Sequence, residues 1–502
     1  MRYISTRGGA GVVTSAKAII DGIAPDGGLY IPERLPALTY HMIRDMRELD
    51  YVSVASHIIG MFLKDYTPGE IYEACAQAYT HDRFTHPDIA PIQQLGRDIF
   101  CLELWHGPTA AFKDMALQLL PRLMTLAQTK QPGKKEVAIL VATSGDTGKA
   151  AMAGFQDVKG SRVIVFYPDG GVSEVQRLQM VTQKGDNVFP IAVKGNFDDT
   201  QNGVKRLFLD TDFTEEVEGN GFSLTSANSI NWGRLVPQIV YYFYAYNRLQ
   251  LSGSIREHET VNVAVPTGNF GNILAAYYAK KMGLPLGRLI CASNENDVLT
   301  EFIRTGVYSV RRPFYKTRSP SMDILISSNL ERLLFELLGR EGDEVSRKMV
   351  DLAEDRQFTL QGESLRKLQE DFWGGSASDE DTTRAIAHVF TYDGYMMDPH
   401  TAVGYDVYHQ YRTATGDEGK VILVSTASPY KFNGAVAEAI GGHDAIQGSG
   451  EFALVDYLHE RSGWPVHPSL EDLEHQPILH KRICQPEDMA DMVRDCLGIS
   501  HD

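Results

Sequence analysis

Short, continuously apolar runs recur along the chain, separated by stretches with helical periodicity. The runs are VAILVATSG (137–145), SRVIVFYP (161–168), VFPIAV (188–193), VNVAVPTG (261–268), RLICASNEN (288–296) and KVILVSTA (420–427). Because their apolar residues are adjacent rather than alternating, the runs are typical of strands buried on both faces of a parallel sheet, with helices as crossovers. The pattern predicts a doubly wound α/β fold.

Other parts of the chain follow different patterns. Helical spacing of apolar residues in 52–66 and 70–79 indicates a mainly helical N-terminal region, and the charged segment from about 300 to 400 predicts a helical insertion with a polar surface loop at 376–383. The predicted units are an N-terminal region (1–95), a lysine-bearing segment of the large domain (96–130), a smaller α/β domain (131–235), a large α/β domain (236–470) and a C-terminal tail (471–502).

Composition narrows the functional classes. The 502 residues are 43% apolar, which is typical of a folded protein. The formal charge of −17 disfavours binding to nucleic acid and to anionic membranes. The densest basic spots are only pairs, Lys134–Lys135 and Arg311–Arg312. Five scattered cysteines argue against a disulfide framework and a zinc site, and no other metal-ligand pattern is present. With no signal-peptide pattern and no long apolar stretch, we expect a cytoplasmic protein without a membrane segment.

Candidate chemistry is expected where strands end, because ligands in open α/β sheets bind at the carboxyl ends of strands. One such loop follows the run at 261–268 and opens a helical stretch. It consists of Gly268, Asn269, Phe270, Gly271 and Asn272. Glycines allow close approach of a ligand, and a helix N-terminus attracts phosphate. The loop is therefore a candidate phosphate site, and a plain tight turn is the alternative.

A second loop follows the run at 137–145 and also leads into a helical stretch. It consists of Thr143, Ser144, Gly145, Asp146 and Thr147. Successive N–H groups and hydroxyls suit a carboxylate or phosphate. Ser, Thr and Asp are also the preferred helix-capping residues, so a purely structural cap is the alternative.

Lys113 shares a predicted helix face with the apolar residues Ala116, Leu117 and Leu120, at i, i+3, i+4 and i+7. Burial lowers the pKa of a lysine and converts the ammonium into a nucleophilic amine. In the alternative interpretation, the stem of Lys113 lies along the core and its ammonium reaches water.

Two further segments carry polar groups that suit a ligand. Thr426 follows the last predicted strand, where its hydroxyl can bond a ligand or simply satisfy the strand end. Asn228, Ser229 and Arg234 lie in the segment NSINWGR, where amide, hydroxyl and guanidinium groups can converge on an oxyanion. A helix start with a solvated arginine is the alternative.

Taken together, two anion-binding turns, a core-facing lysine and a strand-end hydroxyl are what a pyridoxal phosphate site requires. The chain resembles the long form of the threonine synthases, whose N-terminus carries Tyr-x-Ser-Thr-Arg-Gly and Asp-Gly-Gly-Leu-Tyr, here Tyr3–Gly8 and Asp26–Tyr30. The motifs follow in the family's order from the N-terminus to about residue 440. The resemblance implies two α/β domains around a pyridoxal phosphate cleft, with the tryptophan-synthase-β fold type.

The resemblance also implies roles for the candidate residues. Lys113 would bond covalently to the cofactor's aldehyde and later move protons, residues 268–272 would hold the cofactor's phosphate, and Thr426 would bond its ring nitrogen. The turn 143–147 would bind the substrate's α-carboxylate.

In the same scheme, Asn228, Ser229 and Arg234 would hold the substrate's own phosphate. Asp146 stands where many relatives of this fold have an asparagine that contacts the cofactor, so it is a candidate for either cofactor or substrate. Ser428 and Tyr430 also depart from the family pattern, in which His and Ala are frequent.

The reaction implied by the resemblance converts O-phospho-L-homoserine and water to L-threonine and phosphate, in a monomer or homodimer. The nearest alternative is a related phospholyase that releases 2-oxobutyrate, ammonia and phosphate. A non-catalytic binding protein and a nicotinamide-dependent oxidoreductase are further alternatives. The oxidoreductase lacks support because the chain has no dinucleotide-binding glycine pattern.

Overall fold

The computed structural model describes residues 1–131, 133 and 135–500. Lys134 of the basic pair, residue 132 and the last two residues of the predicted tail lie outside the described residues. The N-terminal region is mainly helical, as the sequence predicts. Its elements are β1 (Tyr3–Ser5), α1 (Ser15–Asp21), β2 (Tyr30–Pro32), α2 (Tyr40–Asp45), α3 (Tyr51–Phe62) and α4 (Pro68–Ala78).

Alternating strands and helices follow, as expected for a doubly wound fold. The first group comprises β3 (Ile92–Leu95), β4 (Ile99–Glu103), α5 (Asp114–Leu117), α6 (Leu120–Thr129), β5 (Glu136–Ala142), α7 (Asp146–Phe155), β6 (Ser161–Pro168), α8 (Glu174–Val181), β7 (Val188–Val193), α9 (Phe197–Leu209), α10 (Thr211–Gly219) and β8 (Phe222–Thr225). The 20-residue helix α11 (Trp232–Leu251) comes next, and most of its residues are buried.

The remaining elements complete the sheets and add further helices. They are β9 (Val261–Pro266), α12 (Gly271–Lys281), β10 (Leu286–Ser293), α13 (Val298–Thr305), β11 (Val307–Ser309), α14 (Leu330–Leu337), α15 (Gly342–Glu354), β12 (Gln357–Thr359), α16 (Gly362–Asp371), β13 (Phe372–Ser376), α17 (Asp379–Asp393), α18 (Pro399–Thr415), β14 (Val421–Ser425), α19 (Asn433–Gly441), α20 (His443–Ile446), α21 (Glu451–Ser462), β15 (Arg482–Cys484) and α22 (Met489–Leu497). Short 3-10 turns occur at Pro320–Met322, Pro429–Phe432, Leu473–His475 and Pro486–Asp488.

Two larger sheets form among the described residues. In the smaller sheet the strand order is β15-β7-β6-β5-β8, and all neighbouring strands are parallel. In the larger sheet the order is β13-β10-β9-β14-β4-β3, and only the β3–β4 pair at its edge is antiparallel. The predicted α/β class is confirmed, and each of the six apolar runs forms a parallel strand.

The polar loop predicted at 376–383 is wrong. Ser376 ends β13, and α17 begins at Asp379. The Ser378 hydroxyl accepts from the N–H of Asp381 at 3.2 Å, and the Asp381 carboxylate accepts from the N–H of Ser378 at 3.0 Å. This capping box explains why a polar run starts a helix. The neighbouring strand β13 pairs with β10, so the segment from 300 to 400 also supplies an edge of the larger sheet.

The C-terminal segment 471–502, which the sequence predicts to be a tail, contributes a strand to the smaller sheet. β15 pairs in parallel with β7, and Met489, Val493 and Leu497 of α22 lie in the apolar core beneath that sheet. The strand is only three residues long, which is too short for the pattern of apolar residues to predict it. None of the helices in the described part of the chain has both the length and the apolar character needed to cross a bilayer.

Helices α5 and α7 approach each other closely at Gly154. A Cβ atom at this position would overlap the backbone carbonyl oxygen of Leu117, the last residue of α5. Backbone cannot move aside as a flexible side chain does, so the contact requires a glycine. Helix α7 begins at Asp146 and α5 begins directly after Lys113, so the two helices that meet here also carry those two residues at their starts.

We expect Gly154→Ala to lower the free energy of unfolding by roughly 1–3 kcal/mol, because the added methyl forces two helices apart. Urea unfolding measures this change. The matched control is Gly69→Ala in α4, where an added Cβ has no neighbour within 4 Å. There the higher helix propensity of alanine should leave stability unchanged or raise it by up to about 1 kcal/mol. Equal effects at both positions would contradict the close-contact argument.

Candidate active site

Lys113 lies directly before α5 rather than inside a longer helix, which corrects the predicted helix boundary. The loop that carries it is fixed by Asp114, whose carboxylate accepts from the N–H and the hydroxyl of Thr109 at 2.8 and 2.9 Å. The predicted apolar partners Ala116, Leu117 and Leu120 are buried. The side chain of Lys113 is 11% exposed, so its amine lies in a largely enclosed site.

Asp146 is the nearest anion to Lys113. The Nζ atom of Lys113 donates to Oδ2 of Asp146 at 3.3 Å. The other carboxylate oxygen, Oδ1, is 2.7 Å from Nζ of Lys431 and accepts from Nε2 of Gln176 at 3.1 Å. Two ammonium groups therefore share one buried carboxylate.

The pKa values of Asp146 and Lys113 are both lowered in this cluster, for different reasons. Burial raises the pKa of Asp146, but the ammonium groups of Lys431 and Lys113 outweigh it, so the pKa falls far below its usual range. Burial lowers the pKa of Lys113, and although Asp146 opposes this shift, Lys431 and Arg234 add to it. Asp146 is thus held as a carboxylate, while Lys113 is shifted towards the free amine.

The turn that contains Asp146 is partly self-capped. The Thr143 hydroxyl accepts from the N–H groups of Gly145 and Gly148, both at 3.0 Å, so its oxygen serves the turn as the capping interpretation proposes. Gly145 has φ +133°, and a Cβ there would overlap the side chain of Gln176. Ser144 is exposed and Thr147 is partly buried, which leaves both hydroxyls available at the helix start.

The loop 268–272 joins β9 to α12. Phe270 adopts a left-handed conformation with φ +61°, and α12 begins at the next residue. The side-chain oxygen of Asn272 accepts from the hydroxyl of Tyr241 at 2.8 Å and from that of Tyr242. Its Nδ2 group is buried and has no partner among the described residues. An unpartnered donor at the N-terminus of a helix suits a phosphate.

Arg234 is a buried cation at the start of α11, only 4% exposed. One guanidinium nitrogen donates to the carbonyl of Ala227 at 2.7 Å. Its Nε atom has no hydrogen-bond partner, and no ion pair to Arg234 occurs within the described part of the chain. Burial lowers the pKa of Arg234 to about 10. The group remains a cation at neutral pH, and such a buried charge is stabilised by an anion.

Ser328, which the sequence does not single out, connects the predicted cofactor-phosphate loop (268–272) to the segment that contains Ser229. Its hydroxyl lies 3.2 Å from Oδ1 of Asn269 and 3.4 Å from the hydroxyl of Ser229. The backbone N–H and the side-chain amide of the next residue, Asn329, donate to the carbonyl of Asn269 at 3.1 and 3.0 Å. The predicted phosphate loop and the segment containing Asn228 and Ser229 are therefore neighbours.

Thr426 lies beside the lysine loop. It is 6% exposed, and its carbonyl accepts from the N–H of Phe112, the residue before Lys113, at 2.8 Å. Of the two departures from the family pattern, Ser428 has a buried hydroxyl without a partner among the described residues. Tyr430 donates to the carbonyl of Trp464 at 2.6 Å and so packs the C-terminal segment against this region.

Lys431 is the functional candidate that the sequence reasoning missed. Its side chain is fully buried, and it follows the strand-end motif by only a few residues. A signal was present, because a lysine in the apolar context SPYKF invites the same burial argument as Lys113. Its partner, however, lies almost 300 positions earlier in the chain, and no local pattern reveals that contact.

The residues present fit pyridoxal phosphate. The chemistry of the donor set matches, with an amine shifted towards its neutral form and, at the start of α12, a buried amide that has no partner among the residues the structure describes. The buried guanidinium of Arg234 is available to bind a further anion. The site thus has groups for an aldehyde and for two anionic centres.

Comparison with known proteins agrees with this chemistry. Residues 2–79 match the family model "Threonine synthase N terminus", residues 85–359 match "Pyridoxal-phosphate dependent enzyme", and residues 401–477 match "Threonine synthase, C-terminal". The threonine synthase of Pseudomonas aeruginosa is 40% identical over 442 residues, which cover 88% of this chain and 90% of that protein.

Solved structures give the same assignment. The pyridoxal-phosphate-bound threonine synthase of Brucella melitensis superposes with a TM-score of 0.87 at 36% identity, covering 99% of both chains. The yeast threonine synthase also has a TM-score of 0.87, at 31% identity, with 99% of this chain and 98% of that chain covered. The chain therefore belongs to the threonine synthase family of pyridoxal-phosphate-dependent lyases.

Proposed function

We propose that the chain converts O-phospho-L-homoserine and water to L-threonine and inorganic phosphate. The observation that carries the choice of substrate is Arg234, a buried guanidinium without an anionic partner among the described residues, whose charge acts on the Lys113 amine. A substrate with its own phosphate supplies that partner. Relatives named threonine synthase support this product over 2-oxobutyrate.

We assign the cofactor contacts as follows. Lys113 bonds to the aldehyde carbon, residues 268–272 hold the phosphate through helix-start N–H groups and the Asn272 amide, and Thr426 bonds the ring nitrogen. A neutral hydroxyl at that nitrogen leaves it less protonated than a carboxylate partner would. Pyridoxal phosphate, when bound, supplies an electron sink that stabilises negative charge at the substrate's Cα.

We assign proton transfer to Lys113. Its Nζ atom is held by Asp146 at 3.3 Å, and burial lowers its pKa, which favours the neutral amine that can accept a proton. One amine beside Cα can remove the Cα proton and then serve the neighbouring carbon. The enclosed position of the side chain, 11% exposed, limits exchange of these protons with water.

We assign the substrate's two anionic groups to different parts of the cleft. Arg234 binds the phosphate together with Asn228 and Ser229, and the departing phosphate stays near Arg234, where it helps to position the attacking water. The α-carboxylate is bound at the turn 143–147. Because the Thr143 oxygen caps that turn, the hydroxyls of Ser144 and Thr147 are the better candidates for direct contact.

We also propose a cytoplasmic location, on the composition of the chain and its five unpaired cysteines, and a monomeric or homodimeric state. Gel filtration with light scattering tests the state of assembly.

The first test of the reaction is product identification. We expect the holoenzyme with O-phospho-L-homoserine to release threonine and phosphate in equal amounts, measured by amino-acid chromatography and a phosphate assay. Stoichiometric 2-oxobutyrate and ammonia would overturn the synthase proposal in favour of the phospholyase. Loss of activity towards this substrate in both assays would overturn the substrate choice.

Lys113→Ala should abolish covalent attachment of the cofactor, because it removes the amine that bonds to the aldehyde. Mass spectrometry after borohydride reduction measures the attachment directly. The control is Lys149→Ala, which removes a neighbouring lysine of α7 and should leave the mass increase intact. A mass increase that persists in Lys113→Ala would show that another lysine bonds to the cofactor.

Arg234→Ala should raise the KM for O-phospho-L-homoserine by roughly 10- to 100-fold, since a lost hydrogen bond to a charged group costs about 1.5–3 kcal/mol. Steady-state kinetics measures the change. Arg256→Ala, at a side chain that is 91% exposed, is the matched control and should behave as the wild type. An unchanged KM in Arg234→Ala would contradict the phosphate-binding role, and an unchanged kcat would contradict the proposal that the phosphate held there positions the water.

A further inference from the structure

Lys431 is a fully buried charge in the cluster around Lys113 and Asp146. Its side chain is fully buried, lies 2.7 Å from Oδ1 of Asp146, and donates to the carbonyl of Thr109 at 2.9 Å. The Thr109 loop leads to Lys113, and Asp146 starts α7. Lys431 therefore connects the loop that carries the lysine to the carboxylate that faces it.

A fully buried ammonium group lowers the stability of the fold unless its charge serves a purpose that an apolar side chain cannot serve. Removing two charges from water carries a desolvation penalty that a single ion pair often fails to offset. Without Lys431, Asp146 would have Lys113 as its single cationic partner, and an exclusive ion pair holds a lysine in its protonated form. With Lys431 present, Asp146 keeps a cation whatever the protonation of Lys113.

Charged groups on several elements act on this cluster. The charges of Asp146 in α7, Lys431 in the turn after β14 and Arg234 in α11 act on the Lys113 amine, and Asp114 follows Lys113 in α5. Lys149 of α7 acts on Lys431 and Asp114. Asp114 is turned back towards Thr109, which occupies both of its carboxylate oxygens. The balance at Lys113 therefore depends mainly on how Asp146 divides between two ammonium groups.

We propose that Lys431 is a positioning residue that serves as the permanent counter-ion of Asp146 and so allows Lys113 to lose its proton. The Lys113 ammonium releases one proton to water, and the neutral amine then condenses with the cofactor's aldehyde, with loss of one water molecule. Throughout, the Asp146 carboxylate stays paired through Oδ1. The inference rests on the proposed role of Lys113, but it does not depend on the identity of the substrate.

The test is the pH dependence of cofactor attachment. Cofactor-free protein is mixed with pyridoxal phosphate from about pH 6 to about pH 10, and the rate is followed by the cofactor's absorbance. In Lys431→Met, which keeps a similar volume without the charge, the midpoint of the rate profile should rise by roughly one to two pH units. Lys431→Arg, which keeps the charge, should leave the midpoint close to the wild-type value.

The double variant separates electrostatics from packing. Asp146→Asn in the Lys431→Met background removes the exclusive ion pair, so the midpoint should fall back to the wild-type value or below. Asp146→Asn alone should lower it. This single variant still tests the proposal if Lys431→Met does not fold, since an unchanged midpoint would overturn it.

The matched control is Lys420→Met. Lys420 also joins one carboxylate, that of Glu259 at 2.8 Å, to one backbone carbonyl, that of Ser254 at 2.6 Å, but away from Lys113. The midpoint of the rate profile should be the same in Lys420→Met as in the wild type. An equal midpoint in the wild type and in folded Lys431→Met would overturn the proposal, although the cofactor would still attach to Lys113. Cofactor attachment that survives in Lys113→Ala would instead overturn the role of Lys113 itself.

Discussion

The carboxylate of Asp146 is the interaction on which the site depends, because it joins the two sheets' carboxyl ends. Asp146 follows β5 of the smaller sheet, whereas Lys113 and Lys431 follow β4 and β14, which are neighbours in the larger sheet. Each ammonium takes a different carboxylate oxygen. Helices α7 and α5, which begin at Asp146 and directly after Lys113, also pack closely against each other at Gly154.

The N-terminal motifs that mark the family support this arrangement from a distance. Arg7 forms an ion pair with Glu331 at 2.9 Å. The next residue, the fully buried Arg332, donates to the carbonyls of Tyr30 and Ile230 and to the side-chain oxygen of Asn329. Asn329 in turn bonds the predicted phosphate loop (268–272). Arg332, which lies outside the site, therefore connects the N-terminal strand β2 to that loop and to the segment that contains Ser229.

Polar residues were the least informative part of the sequence. The run at 376–383 looked solvated, but Ser378 and Asp381 cap a helix, and the adjacent β13 completes an edge of the larger sheet. The Thr143 hydroxyl caps its own turn in the same way. A side-chain oxygen bonds a local backbone N–H or a ligand equally well, and only the three-dimensional structure distinguishes the two uses.

The α/β class, the six buried strands and the loops where chemistry is expected can be predicted from the amino-acid sequence, because burial on both faces and helix starts leave local patterns. The cofactor and the family can be predicted from motifs in a fixed order. Only the folded chain shows that Lys431 shares Asp146 with Lys113 and that Ser328 lies between Asn269 and Ser229. These contacts join residues far apart in the chain, brought together where strands of parallel sheets end side by side, and no local periodicity encodes such a meeting.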